Sequence, residues 1–342
     1  LPIELRILPQ ETVLLDPQNG FAPTTVTSEI RVDPLTGWTA RILPMRQYVT
    51  FPRHDWSETL ELSRQRPCPF CPENVARATP RFPPDLLAEG RLQCDGATVV
   101  PNLFPYAPYS ALVIMGPDHF VPMDRLTPQF IRVGFGAAVE FLRLVTARDP
   151  VRSRFAGIGW NYLPYAGGSI LHPHLQVLAA PEAPNHHRSL LAASRDYFRS
   201  SGKVFYDDLL ELERARGERY IGKIGPVEWV ASFAPLAVAD VTAVFRATGI
   251  HDLRPEELEA FAEGVSRVIR YYDGLNLPSF NAALFPGPGG AEGYRMTARL
   301  VGRYYLYPLG GSDISSLHVL QGEPWSLLPP ERVAQDLREL FS

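Results

Sequence analysis

Lysine is almost missing from this sequence: of its 33 basic residues only Lys203 and Lys223 are lysine. That bias reads as genome composition rather than function. Basic residues also hold no surplus. A net charge of −4 and a pI near 6.1 lack the cationic footprint of a nucleic-acid binder. No apolar run approaches the ~18–20 residues that span a bilayer; the most apolar stretch, Ala111–Met115, is strand-sized. No leader-like apolar segment follows Leu1. Three cysteines make no disulfide framework, and two of them lie three apart in Cys68-Pro-Phe-Cys71, a spacing that suggests a metal in a reducing compartment. The expectation is a cytoplasmic protein with no nucleic-acid or membrane partner. What is present suffices for a core: 45% hydrophobic and 20% charged residues over 342 positions, about two domains at ~150 residues each. Proline, at 34 residues, is about twice its usual ~5%.

Along the chain, Ser28–Asp33 and Trp38–Pro44 read as a hairpin around a turn at Pro34–Gly37. A proline-rich, irregular stretch from Pro52 to Pro84 holds the cysteine pair. Strands are expected at Ala97–Val100, Ala111–Met115, Phe155–Asn161 and His174–Ala179. Between the second and third, Thr127 and Pro128 form an N-cap and first helical position. Phe130, Val133, Ala137, Phe141 and Leu144 follow at helical spacing as one buried face. The order then recurs: Val227–Pro235 resembles Thr98–Pro105, Leu253–Leu258 opens a helix as Leu126–Phe130 does, and Phe280–Phe285 mirrors Trp160–Pro164. Asn161 and Asn281 are 120 residues apart, and Tyr294–Gly302 stands where the histidine-rich strand stood. This reads as a tandem duplication of one strand–helix–strand–strand unit. The segment between the copies, Pro184 to Glu218, reads as helical.

Chemistry concentrates at Gly167-Gly-Ser-Ile-Leu-His172-Pro-His174-Leu-Gln176. On a strand, alternate residues share a face, so His172, His174 and Gln176 point one way at steps of about 6.6 Å. Pro173 marks a strand start or edge. The glycines let backbone come close to an anion. A neutral imidazole attacks phosphorus well when its other nitrogen keeps its proton on an acceptor. Gln176, Ser169 and nearby backbone N–H groups supply donors to non-bridging oxygens. No acidic cluster suggests catalytic magnesium; Asp207-Asp208 reads as a solvated face. Cys68 and Cys71 have the knuckle spacing of thiolates on zinc and need two more ligands. His119, after a strand, and His172 would complete a structural Cys2His2 site; the alternative is a reduced cysteine pair without metal. Cys94 has no matched partner, and His186 and His187, near the site in sequence, read as surface residues at a helix start, the alternative being a contact to substrate.

Together these segments resemble the galactose-1-phosphate uridylyltransferase branch of the histidine-triad superfamily. The resemblance is carried by Asp33 to Arg46 (DPLTG-W, then Pro-x-Arg), Cys68 to Asn74 (CPFCPEN), Pro101–Pro105, the PDH ending at His119, and Asn161, Ser169 and HPHLQ. It spans residues 28–342 and is strongest up to residue 180. It implies an α+β fold of tandem duplicated histidine-triad-like units, with antiparallel sheets joined into one half-barrel and helices packed outside. The halves would be residues 1–183, with the zinc knuckle and HPHLQ strand, and 184–342, a helical insert and a degenerate second unit. His174 would be the nucleophile forming a nucleotidyl-histidine, its other ring nitrogen held by the His172 carbonyl. Gln176 stands for the triad's last histidine. Ser169, Asn161 and Arg46 would contact phosphates, Asn102 the nucleoside, and Cys68, Cys71, His119 and His172 zinc. The implied partners are a nucleotide sugar, a sugar phosphate or phosphate, and a second copy in a homodimer.

The departures fall late in the chain. Tyr294–Leu300 lacks the family's alternating histidines, so a second metal site looks lost, and the family's second N-terminal arginine falls near Val49. Ser312 and His318 occupy the positions of acceptor-reading residues. The leading expectation is a nucleotidyltransferase; the alternatives are a nucleotide-sugar phosphorylase or hydrolase, and a non-catalytic nucleotide or sugar-phosphate sensor.

Overall fold

The structure, a computed structural model, describes residues 3–43, 52–306 and 311–342. In chain order its strands and helices begin with β1 (Arg6–Asp16), β2 (Ala22–Val32), β3 (Thr39–Ile42), α1 (Ser57–Arg64) and α2 (Pro72–Ala78). β4 (Leu92–Cys94), β5 (Ala97–Pro101), β6 (Tyr109–Ile114), α3 (Pro128–Arg148), β7 (Phe155–Tyr162) and β8 (His174–Ala180) complete the first half. Then come α4 (Asn185–Ser201), α5 (Phe205–Arg216), β9 (Tyr220–Ile224), β10 (Val227–Ala231), β11 (Val238–Val244), α6 (Pro255–Gly274), β12 (Ser279–Phe285) and β13 (Thr297–Arg303). The chain ends through β14 (Tyr305–Leu306), β15 (Gly311–Ser312), α7 (Ser316–Gln321), β16 (Trp325–Ser326) and α8 (Pro330–Phe341).

Ten strands form one sheet in the order β4-β5-β6-β8-β7-β12-β13-β11-β10-β9, and every neighbouring pair is antiparallel. The order reads the same from both edges if β4 to β8 are matched with β9 to β13. The two halves meet where β7 pairs with β12. A second sheet, β1-β2-β3-β16, is built on the expected hairpin. Its strand β2 begins at Ala22, earlier than Ser28, and it pairs with β1, which no motif marked.

One face of the large sheet packs on α3 and α6. Period-two alternation puts Leu175, Val177 and Ala179 of β8 on that side, with Ala298 and Leu300 of β13. Thr127 caps α3 as expected, accepting from the Phe130 N–H at 3.2 Å. The buried face runs through Val133, Ala137 and Phe141, but Leu144 is exposed and Leu142 and Val145 take its place. α3 touches both the sheet and α6, so its apolar surface is wider than a single stripe. At Gly264 in α6 an added Cβ would lie 2.1 Å from the Trp229 ring, so only glycine lets the helix seat on that buried indole. The stretch from Pro52 to Pro84 is not irregular throughout: it holds α1 and α2, with Pro72 at the first turn of α2 where a missing N–H costs nothing. β13 starts only at Thr297, after Tyr294–Met296. No helix among the described residues is long and apolar enough to cross a membrane.

Candidate active site

The opposite face of the sheet carries the chemistry. Cys68, Cys71, His119 and His172 converge there, each offering a ligand atom, and these atoms all lie within 4.8 Å of one another. Cys71 is the N-cap of α2, and Asn74, one turn on, donates to the Cys68 carbonyl at 2.9 Å. Both histidines are held in one tautomer. The His172 Nε2–H donates to the Gly116 carbonyl at 2.7 Å, leaving Nδ1 bare towards Cys71 Sγ at 3.8 Å. Ser63 spends its hydroxyl proton on the Leu60 carbonyl, so it accepts from His119 Nε2–H at 2.9 Å. His119 Nδ1 is then bare as well, 3.5 Å from Cys71 Sγ. Such outer hydrogen bonds are what orient metal-binding imidazoles. Burial and the neighbouring Cys68 push the Cys71 thiol up to about 12; a bound cation would draw off that proton. Two thiols and two bare imidazole nitrogens fit a tetrahedral metal ion. Among the described residues this is the only group of three or more metal-ligating side chains so arranged.

His172 stands just before β8 and His174 is the strand's first residue. The intervening Pro173 accepts from the Met115 N–H at 3.0 Å and so anchors the strand start on the end of β6. The His174 Nδ1–H donates to the His172 carbonyl at 2.8 Å. A carbonyl only accepts, so Nδ1 carries the proton and Nε2 is the nitrogen with a free lone pair. Burial depresses the His174 pKa, with the His172 carbonyl pulling weakly the other way, so the ring is neutral near pH 7. Phe70, from the knuckle, meets the ring edge-on at 5.2 Å between centroids. The cysteine–histidine cluster and the His174 imidazole are thus one packed unit. Gln176, two residues on, shares the His174 face and is partly exposed.

β7 lies beside β8, with Gly159 opposite Gln176 and Trp160 opposite Leu175; one further step sets Asn161 alongside His174. After β7 the chain turns tightly, with Ala166 and Gly168 both donating to the Leu163 carbonyl at 3.1 Å, and emerges at the exposed Ser169. Gly168 is required here, because a Cβ would lie 2.7 Å from the Asn161 carbonyl oxygen. Across the seam, Asn281 donates to Asn161 Oδ1 at 2.8 Å and to the Ala166 carbonyl at 2.9 Å. Asn102, past the end of β5, uses Oδ1 to accept from the Phe104 N–H at 3.0 Å. Arg46 and Val49 lie outside the described residues.

Several expectations need correcting. His186 and His187 are not surface residues: both ring nitrogens of His186 and Nε2 of His187 are buried without a hydrogen-bond partner among the described residues, against Trp38 and Phe285. Burial lowers both rings to about 4. Asp207 and Asp208, by contrast, lie on a solvated face as expected, Asp207 exposed and paired with Arg295 at 2.7 Å, Asp208 partly exposed and accepting from Tyr197 at 2.7 Å. Cys94 contacts the Glu140 carboxylate. Ser312 and His318, expected at acceptor-reading positions, make local contacts: Ser312 accepts from the Ile314 N–H at 3.0 Å, and His318 contacts Ser315 and Trp325. The residues that reasoning from sequence missed are Arg303 and Asp313, buried and paired on the site's face of the sheet. In the second half that face is closed: Arg299 of β13 binds the buried Asp240 at 2.8 Å, and Phe205, Tyr206 and Leu210 of α5 cover Val230 and Val244. Cavities of about 610 and 530 Å³ are not lined by His174 or the Cys68–Cys71 knuckle: the first lies between α4 and residues 288–292, the second between α3 and residues 253–258, where Cys94 and Glu140 line it. Among the described residues the candidate site lies on a face of the sheet that is partly exposed at Gln176.

No family model matches the chain. It is 31% identical over 315 residues to an uncharacterized protein of Archaeoglobus fulgidus, covering 92% of each sequence. A galactose-1-phosphate uridylyltransferase of Neurospora crassa is 29% identical over 185 residues, 51% of this chain and 46% of that protein. Among solved structures, an ADP-glucose phosphorylase from Arabidopsis thaliana with bound ADP-glucose superposes with a TM-score of 0.68 at 19% identity, covering 91% of this chain and 98% of that one. At 19% identity that likeness shows the fold: the chain shares the mixed α+β architecture of the phosphorylase.

Proposed function

We propose that the protein is a nucleotidyltransferase that moves a nucleoside monophosphate from a nucleotide sugar to a sugar phosphate or phosphate through a covalent intermediate on His174. The observation that carries the reading is the His174 Nδ1–His172 carbonyl bond at 2.8 Å. It fixes the tautomer with Nε2 free, on the sheet face that the amides of Gln176 and Asn161 share. Nε2 attacks the α-phosphorus, the phosphoanhydride bond breaks, and the sugar phosphate leaves with the electron pair. An acceptor phosphate oxygen then attacks the same phosphorus and the P–N bond breaks. Leaving group and acceptor are both phosphates, so neither step calls for a proton donor, and the work is positioning and charge stabilisation. Gln176, Ser169, Asn161 and Arg46 are assigned to phosphate oxygens and Asn102 to the nucleoside.

Zinc is assigned to Cys68, Cys71, His119 and His172, where it would tie α2 and the β6 exit to the start of the catalytic strand. The halves, residues 1–183 and 184–342, are read as copies of one duplicated unit forming a single half-barrel, a reading supported by the matching strand orders on either side of the β7–β12 seam. A homodimer is the assembly assigned. A second reading, with inorganic phosphate as acceptor, is favoured by the sequestration of Asp313 on Arg303 in the segment that would read a sugar. Incubation with UDP- and ADP-sugars, followed by product analysis with phosphate, sugar phosphate or water as acceptor, separates these readings. Binding without turnover across the panel would instead favour a sensor.

A further inference from the structure

We propose that Asn281, in the second half, is a positioning residue: with Arg303 and Asp313 it fixes which end of the Asn161 carboxamide faces substrate. The inference rests on the nucleotide-binding reading above and adds a role for the half that lacks the histidines.

The argument is one of hydrogen-bond polarity. Asp313 is buried and, as a carboxylate, only accepts; it takes Arg303 Nε at 2.7 Å and NH2 at 2.5 Å. Arg303 only donates, and its NH1 reaches the Asn281 carboxamide at 2.8 Å, so the atom it meets is Asn281 Oδ1. Asn281 therefore turns Nδ2 the other way. Both of its N–H groups are used, one on Asn161 Oδ1 at 2.8 Å and one on the Ala166 carbonyl at 2.9 Å. With Oδ1 of Asn161 pinned, its Nδ2 is the end left for the site's face of the sheet. That nitrogen makes no hydrogen bond to the described residues.

The four side chains thus form a directional chain whose last member is an N–H donor beside His174. An unpinned asparagine could present oxygen or nitrogen, and an oxygen facing a phosphate is repulsive. His174, Asn161 and Asn281 sit on the adjacent strands β8, β7 and β12, with Arg303 on β13, so the chain crosses four strands and the seam between the halves.

Asn281→Asp is the direct test. The new carboxylate keeps the shape and still accepts from Arg303, but it has no N–H, so Asn161 must turn its nitrogen inward and its oxygen to the site. UMP and AMP affinity and the rate of nucleotidyl adduct formation from UDP- or ADP-glucose are expected to fall about tenfold or more, with the fold and the metal content retained. In an Asn161→Ala background the same substitution should add nothing, because its effect runs through Asn161. Asn281→Ala, which frees Asn161 to swing, should give a smaller loss that is likewise absent without Asn161, and it decides the matter if the aspartate variant does not fold. Wild-type affinity and rate in the variants, or an equal fold-loss with Asn161 already removed, would overturn the proposal. A wild-type protein that forms no adduct, yet whose nucleotide affinity responds to Asn281→Asp only through Asn161, would sink the transfer reading and leave this one standing. Failure of the wild type to bind either nucleotide overturns both.

Discussion

Asn281 lies directly opposite Asn161 across the seam between β7 and β12, and their carboxamides are joined by a 2.8 Å hydrogen bond. The pairs on either side, Trp160 with Ala282 and Tyr162 with Phe280, are arranged evenly about it. Tyr162 and Phe280 stack at 4.7 Å. The point where the two halves of the sheet meet is therefore also the edge of the site. On the proposed reading, a half without the His172–His174 pair still touches the site there.

The turn between β7 and Ser169 should tolerate no side chain at Gly168. A Cβ would sit 2.7 Å from the Asn161 oxygen and 3.0 Å from the Leu163 oxygen, both backbone atoms that cannot rotate away. Gly168→Ala is expected to cost ~1–3 kcal/mol of stability and to depress adduct formation more than tenfold. Urea unfolding and adduct kinetics measure the two effects. A variant with normal values of both would show that the turn is looser than described.

The metal cluster should be structural. Purified protein is expected to carry about one zinc per chain, and Cys71→Ser or His119→Ala should lose it together with many degrees of melting temperature. Chelation of the wild type should have the same effect, reversed by adding zinc. Less than about half an equivalent of metal, or a melting temperature indifferent to chelator, would contradict the assignment.

A second structural prediction concerns Glu331 of α8, which accepts from Arg31 at 2.8 Å and Arg219 at 2.6 Å and so ties the small sheet to the second half. Burial alone would raise this carboxyl, but the two guanidiniums overcome it and hold it at about 2. A carboxyl depressed in the folded state contributes stability that is full above its ordinary value near 4.5 and is lost as pH falls towards 2. Glu331→Gln should therefore destabilise by about 1–2 kcal/mol at pH 7, less than a fully buried pair because Glu331 keeps part of its side chain in water. The gap between wild type and variant in denaturant unfolding should narrow between pH 5 and pH 3. A gap that stays constant over that range would refute the linkage.

The sequence made legible what local chemistry constrains. Cys68-Pro-Phe-Cys71, His119 and His172 could be grouped because ligand types and spacings are few, and the histidines on either side of Pro173 because a strand alternates. Thr127-Pro128 announced α3 by its capping chemistry. Asn161 and Asn281 were visible as equivalent positions, but not as partners, since strand pairing across the seam is a tertiary fact. Arg303 and Asp313 escaped for the same reason: isolated charges read as solvated until the fold buries them together. His186 and His187 looked exposed because a helix start is normally wet, and only Trp38 and Phe285, distant in sequence, cover them. Prolines hid α1 and α2, although Pro72 favours its helix.

The central claim is a nucleotide carried on His174, and intact-protein mass spectrometry after mixing with UDP-glucose or ADP-glucose tests it most directly. The account predicts a mass increase of one nucleoside monophosphate, acid-labile as a phosphoramidate is, discharged by phosphate or a sugar phosphate and absent in His174→Ala. An unmodified wild-type mass with every donor, or an adduct that survives His174→Ala, would contradict it.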